Sequence, residues 1–205
     1  AILYRTNAQS RSFEEALRRL NISYKIYGGL SFYQRKEIKD VLAYYRLVIN
    51  PNDEESLRRV INYPARGIGQ STIDKITVAA ADQDISMWTV ISNLRSFNLG
   101  INAGISNKIN DFVTQIQAFQ TMLPHKDAFD LGNHIAVHSG IIKELYSDKT
   151  PEGVGRYENV QELLNGMKDF VERERTAMED ELSESIKAQL AAESNELLPP
   201  DAGLR

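Results

Sequence analysis

The sequence predicts a mainly α-helical fold, in which a multi-helix domain follows a small β-α-β piece at the N-terminus. Two observations support this prediction. Apolar residues recur every three or four positions through most of the chain after residue 31, which is the spacing of an amphipathic helix. Before that point, two short apolar runs flank one helical stretch, which is the order of a strand–helix–strand unit.

The N-terminal unit consists of predicted strands at residues 1–5 and 24–27 with a helix between Asn7 and Leu20. A unit of this size cannot bury its own strands, so we expect its natural sheet to be incomplete here and the chain to be a segment of a longer protein. The expected organisation is a partial sheet domain at residues 1–30, a helical domain at 31–192 and a frayed tail at 193–205.

The helical domain carries recognisable start and stop signals. Ser31–Gln34 and Ser71–Asp74 have the pattern of a capping box, in which the first and fourth side chains satisfy free backbone N–H groups. Asp53 and Ser86 are predicted N-caps, and Pro64 is a predicted stop. Further helices are predicted at residues 105–123, 128–138, 141–147 and 157–173, and residues 176–192 are helix-prone but highly charged.

The composition limits the possible functions. The 205 residues include no cysteine, which excludes disulfides and thiolate metal sites and fits a reducing cytoplasm. No apolar run is long enough to span a bilayer, so no membrane partner is expected. Residues 1–76 carry a net charge of +5 and residues 77–205 a net charge of −9. A polyanion would therefore bind the first third, unless the asymmetry is chance clustering on solvated helix faces.

No catalytic or metal site is predicted. The chain lacks the Gly-rich loop ending in Gly-Lys-Ser/Thr that cradles ATP phosphates, and Gly153-Val-Gly155 lacks the context of a dinucleotide site. His134 and His138 have the spacing of two metal ligands on a helix, but no third ligand is apparent, so partly exposed structural histidines are the favoured interpretation. No pair of carboxylates stands out as catalytic.

Two polar segments are candidates for binding. The first, at residues 4–11, lies between a predicted strand and a predicted helix, and contains Arg5 and Asn7 among other hydrogen-bond donors. The second is a Gly-Ile-Gly loop before a predicted helix start, in which free backbone N–H groups and flanking cations could meet a phosphate, with Ile68 as a buried peg. The alternative is a simple tight turn. The candidate residues of this loop are Arg66, Gly67, Ile68, Gly69, Ser71, Thr72 and Lys75.

Taken together, the segments AILYRTNAQSR (1–11), YGGLSFYQRKEIKDVLAYYRLVINPND (27–53) and INYPARGIGQSTIDKI (61–76) resemble successive motifs of UvrD/PcrA/Rep helicases of superfamily 1. SGIIKELYSD (139–148) and GRYENVQELL (155–164) resemble the later helical part of the same region. The resemblance covers about residues 1–175. It implies that residues 1–30 are a slice of the RecA-like 2A domain and that 31–205 are most of the helical 2B insertion.

The same resemblance implies the roles of the two segments. Arg5 and Asn7 would lie near the track of single-stranded DNA, and the Gly-Ile-Gly loop would contact duplex DNA ahead of the fork. The parent would be an ATP-dependent 3′–5′ DNA helicase of repair or replication restart. Its ATP and magnesium would bind outside this chain, so we expect the chain itself to hold no cofactor and to hydrolyse no ATP.

Another class of function is a regulatory module that binds proteins through the helical domain, which the acidic composition after residue 77 would suit. Ionic strength discriminates between the two, because phosphate contacts weaken steeply with salt. A free-standing enzyme is disfavoured, since no nucleophile–base pair or metal cluster is apparent.

Overall fold

The computed structural model describes residues 1–27 and 29–196, with the side chains of all of these except Asn7 and residues 188–196. Within this part the chain forms nine α-helices, with short 3-10 turns at Asn7–Gln9, Phe32–Gln34 and Leu94–Ser96. The α-helices are α1 (Ser10–Arg19), α2 (Lys36–Ile49), α3 (Glu54–Val60), α4 (Gln70–Asp82), α5 (Met87–Ser92), α6 (Ala103–Met122), α7 (Ala128–His138), α8 (Ile141–Ser147) and α9 (Pro151–Glu196).

The mainly helical part of the fold agrees with the sequence, but the β-α-β piece is wrong. Residues 1–4 and 22–27 have no regular secondary structure, and no strand occurs among the described residues. Two strands alone are marginally stable in water, and the described part of the chain offers no further strand to extend a sheet over α1. The apolar side chains of both segments stay uncovered as a result: Leu3 is 94% exposed and Tyr27 81%.

α2 is the central helix of the core. Its side chains Ile38, Val41, Tyr44 and Leu47 are fully buried, and the helix packs against α3, α6, α7 and α9. Of the apolar stripe that the sequence predicts for this helix, Ile38, Val41 and Val48 are buried and Leu42 and Tyr45 are half-buried, but Ile49 is 72% exposed. Because four helices pack around α2, side chains on most of its circumference are buried.

Two of the four predicted helix starts are confirmed. The Asp53 carboxylate accepts a hydrogen bond from the Ser56 N–H at 3.0 Å and caps α3, and the Ser86 hydroxyl caps α5. The two capping boxes are wrong. Ser31 instead donates its hydroxyl to the buried carboxylate of Glu14, so a tertiary partner replaces the local one. α4 begins one residue before Ser71, with Gly69 as its N-cap.

α9 is a single helix of 46 residues, where the sequence predicted separate stretches at 157–173 and 176–192. It begins at Pro151, a residue preorganised for the first helical position. Val160, Leu163 and Leu164 are buried, whereas every side chain from 172 to 187 is exposed. The predicted frayed tail overlaps the end of this helix, and residues 197–205 lie outside the described part. The described helices include no candidate for a membrane-spanning segment.

A buried polar network joins the N-terminal segment to α2 and α9. Asn159 on α9 accepts a hydrogen bond from Arg35 at 2.8 Å and donates one to Glu37 at 2.6 Å. Arg35 also donates to the Ser10 hydroxyl at 3.0 Å, and all four side chains are at least nine-tenths buried. Because charged groups are costly to bury without partners, the amide of Asn159 is essential to this arrangement.

We predict that Asn159→Ala destabilises the fold by about 2 kcal/mol, because Arg35 and Glu37 each lose a hydrogen-bond partner inside the protein. Urea unfolding followed by circular dichroism measures this loss. Asn165→Ala, an exposed position on the same helix, is the matched control and should change the free energy of unfolding by less than about 0.5 kcal/mol. Equal effects of the two substitutions would contradict the assigned role.

Candidate nucleic-acid interface

The Gly-Ile-Gly loop connects α3 to α4 and is held from the inside by Asn62. The side-chain oxygen of Asn62 accepts hydrogen bonds from the backbone N–H groups of Arg66 and Ile68, both at 3.0 Å. Ile68 is fully buried, which confirms its prediction as the peg of the loop. Gly67 stands between them at φ +73°, a left-handed conformation that favours glycine. The loop is therefore a specifically closed turn.

The two glycines of the loop have different surroundings. A Cβ on Gly67 would come within 2.6 Å of the Lys108 ammonium nitrogen, which lies over the turn. Gly69 has φ −75° and ψ 162°, which any residue adopts, and a Cβ there would meet nothing within 4 Å. The space beside Gly69 is open to solvent, so a ligand can approach the backbone at this position.

The start of α4 presents free backbone donors. Thr72 and Ile73 donate their N–H groups to the Gly69 carbonyl at 3.0 and 3.3 Å. In the described part of the chain, the N–H groups of Gly69, Gln70 and Ser71 donate to no other residue, and all three residues are exposed. The amino end of a helix carries partial positive charge, which attracts an anion to these donors. Thr72, by contrast, is buried and faces the core.

Two lysines flank this helix end. The Lys75 ammonium donates to the carbonyl of Gly100 at 2.9 Å while remaining exposed, and Lys108 comes from α6. The single acidic side chain of the first α4 turns, Asp74, accepts a hydrogen bond from Gln70 at 2.8 Å. Lys108 was missed in the sequence because only the packing of α6 against the loop brings it there.

The Arg66 guanidinium points into the protein. It donates to the carbonyls of Val60 and Pro64 at 3.0 and 3.2 Å and to the Tyr44 hydroxyl at 2.6 Å. It also lies over the ring of Phe112, 5.0 Å from the centroid. No carboxylate among the described residues pairs with it, so its positive charge is not neutralised beside the loop. A direct contact between Arg66 and DNA stays a prediction, and the structure adds a structural role.

Tyr44 completes the Arg66 contact. Burial raises the pKa of the Tyr44 hydroxyl above its ordinary value, although the neighbouring Arg66 acts in the opposite direction. The hydroxyl therefore keeps its proton at neutral pH. It donates that proton to the Tyr63 carbonyl at 2.6 Å while it accepts from Arg66.

The N-terminal segment exposes fewer donors than its sequence suggests. The Gln9 side chain accepts hydrogen bonds from the backbone N–H groups of Arg5 and Thr6 at 2.9 and 3.2 Å, and Arg5 is exposed. Arg11 is buried in ion pairs with Glu15 and with Glu162 of α9. The side chain of Asn7 is outside the described residues. No described contact joins this segment to the Gly-Ile-Gly loop.

The histidine pair does not form a metal site with other described side chains. The His134 and His138 rings stack with centroids 3.8 Å apart, and burial together with the charge of His138 lowers the pKa of His134. No group of three or more potential ligands is arranged for a metal in the described part of the chain.

We predict that Arg66→Ala lowers the free energy of unfolding by about 2–4 kcal/mol, because the Tyr44 hydroxyl and the Pro64 carbonyl lose the donor that Arg66 supplies. Thermal and urea unfolding measure this. Arg58→Ala, on the neighbouring α3, removes only a long, half-exposed ion pair and should cost less than about 0.5 kcal/mol. If the Arg66→Ala protein is as stable as the wild type, Arg66 does not have the structural role assigned here.

Comparison with known proteins identifies the family. The sequence profile of the UvrD-like helicase C-terminal domain matches residues 1–199. The ATP-dependent DNA helicase PcrA of Bacillus subtilis is 38% identical over 173 residues, which are 84% of this chain and 23% of the relative. DNA helicase II of Haemophilus influenzae is 35% identical over 183 residues, which are 89% of this chain and 25% of the relative. The chain thus spans about a quarter of these relatives, and it belongs to the UvrD-like helicase C-terminal domain family.

Proposed function

We propose that this chain contacts duplex DNA through the start of α4, as part of an ATP-dependent DNA helicase. The observation that carries the proposal is the exposed, unpaired set of backbone N–H groups at Gly69, Gln70 and Ser71, with Lys75 and Lys108 beside it. This combination suits a DNA phosphate, because a helix start offers directed donors and the lysines add attraction at longer range.

The proposed helicase activity belongs to a longer protein. Relatives named as DNA helicases are about four times as long as the matched segment, and the phosphate loop that binds ATP is not in this sequence. We propose that ATP and magnesium bind elsewhere in the parent, which unwinds DNA in the 3′–5′ direction during repair or replication. Within it, residues 1–30 would belong to a RecA-like domain and residues 31–192 to a helical DNA-contacting domain.

Contacts of this kind address the DNA backbone, not the bases. Backbone N–H groups and lysine ammonium groups read phosphate oxygens, which are identical at every base pair. Binding by this segment should therefore be independent of sequence, weak and sensitive to salt, because few phosphates are neutralised and the second part of the chain is acidic. These properties suit a motor that moves along any sequence.

A single-strand contact at residues 5–11 is the second part of the proposal. The exposed guanidinium of Arg5 is the strongest available donor, since Arg11 is occupied by Glu15 and Glu162. Its contact area is small, so it would act together with other domains of the parent and not alone.

A protein-binding role is the second candidate function. The exposed half of α9 carries Met178, Leu182 and Ile186 at four-residue intervals, which places them on one face of the helix. This face favours a regulatory partner helix over nucleic acid, because its surroundings are acidic. Binding of such a partner should depend little on salt.

The open space beside Gly69 gives a direct test of the duplex contact. We predict that Gly69→Asp weakens duplex binding at least tenfold, because a carboxylate then caps α4 and repels the phosphate. The same substitution should preserve or increase stability by a few tenths of a kcal/mol, since Asp is a better N-cap than Gly. Gly69→Asn is the matched control, which caps the helix without charge.

Fluorescence anisotropy with labelled duplex DNA measures the affinity, and thermal unfolding measures the stability. Unchanged duplex binding by Gly69→Asp would refute the contact at the start of α4. If Gly69→Asn and Gly69→Asp weaken binding equally, the free N–H groups matter more than the charge, and the contact is retained.

Lys75→Ala should weaken duplex binding and lower the slope of log affinity against log salt by about one unit, because one phosphate contact is lost. Lys126→Ala is the control. Lys126 is exposed and lies just after the C-terminal end of α6, and that end is about 20 Å along the helix from Lys108. An identical salt slope for the wild type and Lys75→Ala would exclude Lys75 as a phosphate ligand.

For the single-strand contact, we predict that Arg5→Ala in the full-length helicase reduces unwinding and single-strand affinity several-fold without loss of stability, because Arg5 is exposed. A strand-displacement assay and anisotropy with single-stranded DNA measure the two properties. Normal unwinding by Arg5→Ala would remove this assignment.

A further inference from the structure

Two lysine–tyrosine pairs lie near the junction of α2, α8 and α9. The Lys36 ammonium of α2 lies 5.5 Å from the ring centroid of Tyr63, which is half-buried just before the Gly-Ile-Gly loop. The Lys149 ammonium, in the loop after α8, lies 3.5 Å from the ring centroid of Tyr146, which is 61% exposed. In both pairs a cation and an aromatic ring share one patch of surface.

Further rings and charges lie beside the second pair, and α8 brings them near the first. Tyr146 contacts Tyr157 of α9 with ring centroids 5.6 Å apart and planes at 64°. Arg156, the neighbour of Tyr157, pairs with Asp148 at 2.6 Å, and Pro64, which follows Tyr63, lies beside Gly140 at the start of α8. We call this surface, formed by Lys36, Tyr63, Tyr146, Lys149, Arg156 and Tyr157, the tyrosine–lysine face.

The cations of this face are incompletely neutralised. In the part of the chain that the structure describes, neither Lys36 nor Lys149 forms an ion pair. Arg156 is half-exposed, and its Nε–H group is buried without an acceptor. The opposing charges are Asp148, which pairs with Arg156, Asp40, which pairs with Arg59 at 2.7 Å, and the exposed Glu144 of α8. Glu37 next to Lys36 is buried and accepts a hydrogen bond from Asn159.

We propose that the tyrosine–lysine face binds single-stranded nucleic acid, with bases stacked on Tyr146 and Tyr63 and phosphates beside Lys149, Lys36 and Arg156. Aromatic rings interleaved with cations are the recurring means by which proteins hold single strands without sequence preference. The inference extends the proposed function to a second surface, and it does not require the start of α4 to touch DNA.

The chemistry favours a single strand over duplex DNA. An exposed ring gains its binding energy from the flat face of an unstacked base, and a duplex hides those faces inside its own stack. Duplex DNA would meet only the phosphate contacts of this face, which the exposed Glu144 weakens. Tyr63 precedes the Gly-Ile-Gly loop, which leads into the proposed duplex contact at the start of α4.

The test measures binding of oligothymidylate and of an abasic oligonucleotide of the same length to the 205-residue chain. We expect Tyr146→Leu to weaken oligothymidylate binding roughly tenfold and to leave abasic binding unchanged, because only stacking is lost. Tyr146→Trp should retain or increase the affinity. Phe170→Leu, an exposed aromatic position of α9, is the matched control and should have no effect.

Two further variants test the charges. Lys149→Ala should weaken both oligonucleotides, and Glu144→Gln should strengthen both, because a like charge is removed from the path of the phosphates. Tyr146→Leu that binds oligothymidylate like the wild type would overturn the proposal. So would a loss of all single-strand binding in Arg5→Ala, since the N-terminal segment would then account for it. Duplex binding tests the start of α4 separately, so the two surfaces can fail independently.

Discussion

The arrangement of the helical body depends on one guanidinium group. Arg66 leaves the Gly-Ile-Gly loop and reaches the carbonyl end of α3, the Tyr44 hydroxyl of α2 and the Phe112 ring of α6. A planar group with five donors can satisfy several acceptors at fixed angles, which an ammonium group cannot do. The loop is therefore positioned by its own side chain, and the exposed start of α4 inherits that position.

A second constraint fixes the N-terminal segment relative to the helical body. The buried carboxylate of Glu14 accepts a hydrogen bond from the Phe32 N–H at 2.8 Å, and Arg11 reaches α9 through Glu162. Together with Arg35 and Asn159, these groups form a polar joint. An apolar contact in the same place would fix the orientation less strictly, because it has no preferred direction. Buried charges tolerate few geometries, so the joint favours one orientation of α1 against α9.

The sequence correctly predicts the helix bounds and N-caps that depend only on neighbouring residues. The bounds of α7 and α8 and the caps Asp53 and Ser86 agree with the structure, because apolar periodicity and N-cap chemistry act within a few residues. Ser31 fails as a capping residue because Glu14, seventeen positions earlier, competes for its hydroxyl. The strands fail for a related reason: pairing requires partners that are distant in the chain, and residues 1–4 and 22–27 find none in the described part.

The candidate site also has some features that depend on neighbouring residues and others that depend on the packing of distant helices. The Gly-Ile-Gly pattern and the burial of Ile68 follow from a loop of nine residues, whereas the approach of Lys108 and the inward course of Arg66 depend on where α6 packs. Residue type identifies Arg66 as a cation but not the direction in which it points. Only the carbonyls at the end of α3 and the neighbouring rings decide that.

The length of α9 has a mechanical consequence. From Leu164, the last fully packed leucine, to Glu196 the helix extends by about 48 Å. No proline interrupts the helix over this distance, so no sharp kink is expected within it. A tilt of about 5° at the buried turns therefore displaces the tip by about 4 Å, roughly the separation of two neighbouring strands in a sheet. The geometry of α9 would thus convert an angstrom-scale repacking around Val160 into a larger displacement at the exposed end of the helix.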